Sequence, residues 1–152
     1  MDDAETAAAL ARCTPCPYPG RWQEAPFAER TVDGVRYAVV ALDPGLSALG
    51  VRRTDGSVWG LPEDGAPHLV NSSVAAFVAC SRAHTEAAAE AAGYAGYDGA
   101  GDDGDEDAAE RAADALTEAL LERFAALDAP AIADENAFWC VAAEELGYGM
   151  SV

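Results

Sequence analysis

The first half of the chain carries short apolar runs, separated by turn residues, of the kind that form β-strands. Residues 35–42 give the clearest strand, because an Asp-Gly pair precedes this apolar run and Asp-Pro-Gly follows it. Residues 46–53 and 57–61 predict two more strands, joined by the hairpin signal Asp55-Gly56. Residues 68–70 predict a short fourth strand. The short connections favour antiparallel pairing.

The second half is patterned for helices. Apolar residues recur at helical spacing from about residue 72 to residue 92, and Gly93 is the expected end. The side chains expected to face the core from this helix are Val74, Phe77, Val78, Ser81 and Thr85.

Two further helices are predicted after it. One begins at Asp107, where Glu110 completes a capping box, and stops at Ala129-Pro130. The other begins near Asp134 and ends with Gly147 as a left-handed cap. Their expected core residues are Leu116, Leu120, Phe124, Leu127, Phe138, Val141, Ala142 and Leu146.

The stretch from Val58 to Phe77 joins the predicted sheet to the predicted helices. Within it, Asn71-Ser72-Ser73 ends the last apolar strand run and precedes the first long helix. Asn and Ser side-chain oxygens accept hydrogen bonds from the unpaired N–H groups of a first helical turn. These three residues are therefore expected to start the helix.

The remaining segments are less regular. Residues 1–30 predict a short helix, over residues 4–12, followed by an irregular segment that carries Trp22 and Phe27 onto the core. Three prolines within residues 13–20 end that helix. Residues 94–107, rich in Gly and Asp, predict an acidic mobile loop.

Length and composition predict one domain over residues 1–152 with a moderate core and Ala-faced helices. The acidic N-terminus and the absence of an apolar run of about 18 residues favour a cytoplasmic protein with reduced cysteines and no membrane contact. A formal net charge of −18, with no lysine, argues against direct binding to nucleic acid. The same charge attracts a basic partner, although it also serves solubility.

No arrangement of residues specifies catalysis or a metal. Cys13 and Cys16 have the spacing of a zinc half-site or a redox pair, but prolines surround them and no second half-site follows. Cys80 and His84 lie four residues apart on one helix, where a packed thiol and a surface imidazole are the simpler interpretation. The acidic loop lacks the ligand spacing of an EF-hand. The expectation is a protein without catalytic residues, metal or cofactor.

Short motifs, in order along the chain, resemble those of the fourth family of the SUKH superfamily of bacterial toxin-immunity proteins. They are Gly56-Ser57-Val58-Trp59, then Val70-Asn71-Ser72-Ser73 with Phe77, and a final helix from Phe138-Trp139 to Gly149-Met150. The resemblance covers about residues 35–150. The matching positions, expected to be structural, are Trp59, Asn71, Ser72, Ser73, Phe77, Trp139, Gly149 and Met150.

The resemblance implies an α+β fold in which helices pack on a twisted antiparallel sheet of about four strands. It implies a protein that binds a cognate toxin domain, often a nuclease or nucleobase deaminase, and blocks it stoichiometrically. The negative net charge of the chain then suggests that this toxin has a basic surface. The acidic residues expected to contact it are Asp98, Asp102, Asp103, Asp105, Glu106 and Asp107.

Two alternatives stay open at this point. One is a non-catalytic scaffold or regulatory domain of the same fold that binds proteins but no toxin. The other is a small enzyme or metal protein that uses Cys13, Cys16, Cys80 or His84. The identity of the toxin, the interface and the oligomeric state do not follow from the residues.

Overall fold

The computed structural model describes residues 2–12, 20–95 and 105–150. The strands are β1 (Arg21–Trp22), β2 (Glu29–Val32), β3 (Val35–Asp43), β4 (Ser47–Arg52), β5 (Val58–Pro62) and β6 (His68–Asn71). The helices are α1 (Asp3–Leu10), α2 (Val74–Ala95), α3 (Asp105–Asp128) and α4 (Phe138–Met150), with a short 3₁₀ helix at Ala129–Ile132. The predicted α+β class, a sheet with helices packed on it, is confirmed.

All strand pairs in the sheet are antiparallel, as predicted. Strands β3, β4, β5 and β6 form a meander in chain order, and β1 and β2 both pair with the free side of β3. The sheet therefore has six strands rather than about four. Of the two extra strands, β1 lies within the segment predicted to be irregular and β2 begins in it. They gave little signal because β1 has only two residues and β2 is a polar edge strand.

The two faces of the sheet have different surroundings. Side chains such as Val40, Leu49 and Val58 form the main core with the helices. Tyr37 and Leu61 belong to a second cluster made only of sheet residues. A β-bulge between Val39 and Ala41 shifts the register of β3, which places both Val40 and Ala41 in the main core.

One carboxylate of helix α1 contacts two residues that lie just outside the strands. Asp2 and Glu5 form a capping box at its start. Asp3 accepts a hydrogen bond from the Phe27 backbone N–H at 3.0 Å and pairs with the Arg53 guanidinium. Phe27 is buried, as predicted, so this contact lies beside the core, whereas Trp22, predicted to reach the core with it, is 39% exposed.

Two glycines predicted to end helices lie inside them. Gly93 falls within α2 and Gly147 within α4. Gly147 is required by close packing rather than by a left-handed turn, since a Cβ there would lie 2.1 Å from Thr117 Oγ1 on α3. The small residue allows α3 and α4 to approach each other closely.

Other predicted boundaries and faces also need correction. Helix α3 begins at Asp105, so Asp107 lies inside the helix and not at its cap. Helix α4 begins at Phe138 rather than near Asp134. Leu127 and Val141, predicted to face the core, are 44% and 39% exposed.

Candidate functional site

A buried hydrogen-bond network holds the junction between β6 and α2 against α3 and α4. Asn71 is fully buried at its centre. Its side-chain oxygen accepts a hydrogen bond from Trp139 Nε1 at 2.6 Å, and its amide nitrogen donates to the Asp128 carboxylate at 3.0 Å. One side chain thus joins the end of the sheet to the end of α3 and the start of α4.

Asp128 completes the network. Its carboxylate accepts hydrogen bonds from the Ser72 backbone N–H and hydroxyl, both at 2.7 Å. Ser73 caps α2 by accepting from the Ala76 backbone N–H at 3.0 Å. Phe77, one turn into α2, lies 5.9 Å from the Trp139 ring. Each buried side-chain nitrogen and oxygen at this junction has a hydrogen-bond partner.

The signature residue Trp59 lies on the opposite face of the sheet. Its indole N–H donates to Ser57 Oγ at 2.7 Å, and the Arg52 guanidinium stacks 5.1 Å from its ring centroid. Gly149 and Met150 form the last residues of α4. The family signature therefore divides: Asn71, Ser72, Ser73, Phe77 and Trp139 meet at the junction, whereas Trp59 lies apart from it.

The thiols described by the structure are not poised for chemistry. Burial raises the pKa of Cys80 to about 11, although a hydrogen bond from the Asn71 amide acts in the opposite direction. Burial also raises the pKa of Cys140. Nucleophilic cysteines need the reverse shift. Among the residues whose side chains the structure describes, no three His, Cys, Asp or Glu cluster as a metal site would require.

The acidic residues predicted to contact a partner divide into two groups. Asp98, Asp102 and Asp103 lie outside the described residues. The backbone of Asp105, Glu106 and Asp107 forms the start of α3 instead of the predicted loop. These three residues therefore belong to the same helix as several further acidic residues.

Those further residues form an acidic stripe along α3, which comprises Glu110, Asp114, Glu118 and Glu122. All four side chains are exposed. Their spacing of four residues places them on one side of the helix, about 18 Å from first to last at 1.5 Å per residue. This spacing is visible in the sequence, but the predicted contact residues lie before it, in the segment with the densest run of acidic residues.

Charge is distributed unevenly between the two halves of the chain. Residues 72–152, which carry the long helices, contain 17 acidic residues and three arginines, a net charge of −14. Residues 1–71 contain ten acidic residues and six arginines, a net charge of −4. The negative field of the protein is therefore concentrated on its helical half.

A cleft opens between β6, α2 and α4 on that half. Its volume is about 600 Å³, and its lining residues are His68, His84, Asn136, Phe138, Val141, Ala142, Glu145 and Leu146. The His84 ring also lies 6.3 Å from the Trp139 ring, in a tilted arrangement. Three separate elements form this cleft, so no local sequence motif predicts it.

The two imidazoles of the cleft are disposed to be neutral. Partial burial lowers the pKa of His68. Burial lowers the pKa of His84 as well, and this effect exceeds the opposing effects of a hydrogen bond to the Ala142 backbone and of the Glu145 carboxylate. Glu145 is then the one formally charged side chain that lines the cleft among the described residues.

Comparison of the sequence with known families gives the context for these surfaces. Residues 4–145 match the sequence model of the SUKH-4 immunity protein family. The chain belongs to this family. The SUKH-4 match contains the whole junction network and all of the residues that line the cleft except Leu146. No curated protein and no solved structure matches the chain.

Family membership confirms the resemblance noted in the sequence. For this SUKH-4 protein it indicates a role in toxin immunity and hence a toxin as partner in general. Among the helices that the structure describes, none combines the length and the apolar character needed to span a bilayer.

Proposed function

We propose that this SUKH-4 protein neutralises a cognate toxin by binding it stoichiometrically in the cytoplasm, without catalysis. The match to an immunity protein family over residues 4–145 carries the proposal. The two described cysteines are consistent with it, because burial raises the pKa of the Cys80 and Cys140 thiols, whereas a nucleophilic cysteine needs a lowered pKa. Neither cofactor nor metal is part of the proposed activity.

The proposed toxin acts on nucleic acid, as a nuclease or nucleobase deaminase, and has a basic surface. Such enzymes need positive charge to hold phosphates. A net charge of −14 on the helical half of the chain offers that surface an alternative ligand. The same charge disfavours direct nucleic-acid binding by the chain, and attraction between oppositely charged surfaces speeds association.

The proposed contact surface begins at the acidic residues before and within the first turn of α3 and continues along the acidic stripe. Exposure of Glu110, Asp114, Glu118 and Glu122 supports this extension. The signature residues have a different proposed role. Asn71, Ser72 and Trp139 hold the sheet and helices together through buried hydrogen bonds, so we assign them to the scaffold and not to the interface.

Co-expression tests the function directly. The toxin domain encoded beside the gene of this chain is expressed in bacteria with and without the chain, and survival is scored. The purified pair is then analysed by isothermal titration calorimetry. We expect rescue and a one-to-one complex. A toxin that still kills in the presence of soluble chain, with no heat of binding, would refute the proposal.

Two charge-neutralised variants test the electrostatic part. The first replaces Asp102, Asp103, Asp105 and Glu106 by Asn or Gln, and the second does the same for the acidic stripe. Each removes four negative charges, so the variants are matched in net charge. The variant whose charges face the toxin is expected to slow association and to flatten its salt dependence. If both retain the wild-type rate and salt slope, neither surface faces the toxin.

A further inference from the structure

The cleft between β6, α2 and α4 exposes apolar surface within the most acidic part of the protein. Val141 on α4 is 39% exposed, although its position in the helix predicted a core residue. Beside it, Phe138 and Leu146 are half-buried and form the apolar wall of the cleft. This wall is open to an incoming side chain.

Charge around that wall is negative. Glu145 is exposed and lines the cleft, whereas no arginine of the described residues does. His68 and His84 add aromatic edges that accept or donate hydrogen bonds. An apolar wall next to a single carboxylate matches the side chains of lysine and arginine, whose methylene stems pack on apolar surface while the charge reaches an anion.

We propose that this cleft receives a lysine or arginine side chain from the basic surface of the toxin, with its stem against Phe138 and Val141 and its charge beside Glu145. This inference rests on the proposed function and adds a specific contact site for the toxin. The acidic stripe attracts the partner at long range, while the cleft fixes its orientation at short range. Contacts in a desolvated pocket contribute more to affinity than rim charges do.

Another cleft among the described residues does not support a similar inference. It has a volume of about 440 Å³ and lies between α1 and residues 22–27. It adjoins in sequence residues 13–19, which lie outside the described residues. Its open volume therefore does not identify a partner.

Two substitutions in the cleft and two controls test the proposal. Val141→Arg places the chain's own cation in the cleft and is expected to weaken toxin binding at least tenfold. Glu145→Gln removes the carboxylate and is expected to weaken it on the order of tenfold. Leu46→Arg, at the exposed β3–β4 turn, and Glu144→Gln, exposed next to Glu145, make the same changes in net charge outside the cleft. The controls are expected to change affinity less than about twofold.

Histidine NMR gives an independent reading of the cleft. The chain has two histidines, and both line this cleft, so each labelled imidazole resonance reports on it. Unlabelled toxin domain is added to ¹³C-histidine-labelled chain. We expect the His84 resonance to shift at saturation and its apparent pKa to fall, because a cation beside an imidazole disfavours its protonation.

The outcomes separate the two proposals. If wild-type chain binds the toxin, while both cleft variants bind as tightly as their controls and both imidazoles are unmoved, the cleft inference is wrong and the immunity function stands. If wild-type chain does not bind the toxin, both fail. If Val141→Arg does not fold, as judged by circular dichroism, the conservative Glu145→Gln variant and the NMR titration decide the matter.

Discussion

Replacement of Asn71 by alanine should show how much the junction network contributes to stability. Trp139 is fully buried, so Asn71→Ala leaves its indole N–H without an acceptor. It also removes one of the three hydrogen bonds that the Asp128 carboxylate accepts. An unsatisfied buried donor costs about 1–3 kcal/mol, and a hydrogen bond to a charged group contributes about 1.5–3 kcal/mol. Together these give an expected loss of about 2.5–6 kcal/mol of the free energy of unfolding.

Urea unfolding followed by circular dichroism at fixed pH measures this loss. The chosen control is Ser73→Ala, which removes only the N-cap of α2 and should cost about 1 kcal/mol. Circular dichroism is used rather than tryptophan fluorescence, because Trp139 is itself replaced in the double-mutant cycle.

A double-mutant cycle with Trp139→Phe tests the cause. On its own, Trp139→Phe leaves the Asn71 side-chain oxygen without its donor. In the Asn71→Ala background that oxygen is absent, so the same substitution should cost about 1–2 kcal/mol less. Additive costs, or a loss below about 1 kcal/mol for Asn71→Ala, would show that the hydrogen bond does not stabilise the junction.

Three further predictions follow from other contacts. Iodoacetamide at pH 7.5 should leave Cys80 unmodified in the folded protein, because burial raises its thiol pKa to about 11, and should modify it in urea; peptide mass spectrometry reads both states. Burial lowers the pKa of His84 in the folded state, so at falling pH the unfolded chain takes up a proton on this imidazole before the folded chain does. Stability should therefore fall as pH drops below about 6.5, and His84→Gln should reduce that fall. Thermal unfolding between pH 5 and 8 measures both. Gly147→Ala should lower the midpoint of thermal unfolding by a few degrees, since its Cβ would lie 3.1 Å from the Ala113 carbonyl oxygen as well as against Thr117; an unchanged midpoint would mean that α3 and α4 separate at no cost.

Local pattern predicted the elements that have a strong signal of their own. Strands β3 to β6 and the start of α2 at Ser73 follow from apolar runs, turn residues and capping chemistry. Strands β1 and β2 did not, because edge pairing with β3 stabilises segments whose own residues are mostly exposed. Family resemblance predicted the α+β fold and the immunity family from a few short motifs.

Long-range contacts explain most of what was missed. Asn71 was expected to start a helix, but its main partners, Asp128 and Trp139, are more than fifty residues away. Gly147 had the residue type of a helix end, whereas its neighbour Thr117 requires a small residue within a helix. The cleft needs β6, α2 and α4 together, so Val141 could be recognised as exposed only in the folded protein.

The acidic stripe also has a consequence for the protein without its partner. Neighbouring like charges four residues apart destabilise a helix by about 0.2–0.5 kcal/mol per pair, and Glu110, Asp114, Glu118 and Glu122 form three such pairs. Dissolved salt screens this repulsion and should stabilise the free chain, while it weakens attraction to a cationic toxin. Salt thus acts with opposite sign on folding and on binding. If the toxin binds this stripe with a basic surface, as proposed, it replaces the missing counter-ions at low ionic strength, and the gain in melting temperature on complex formation should be largest there.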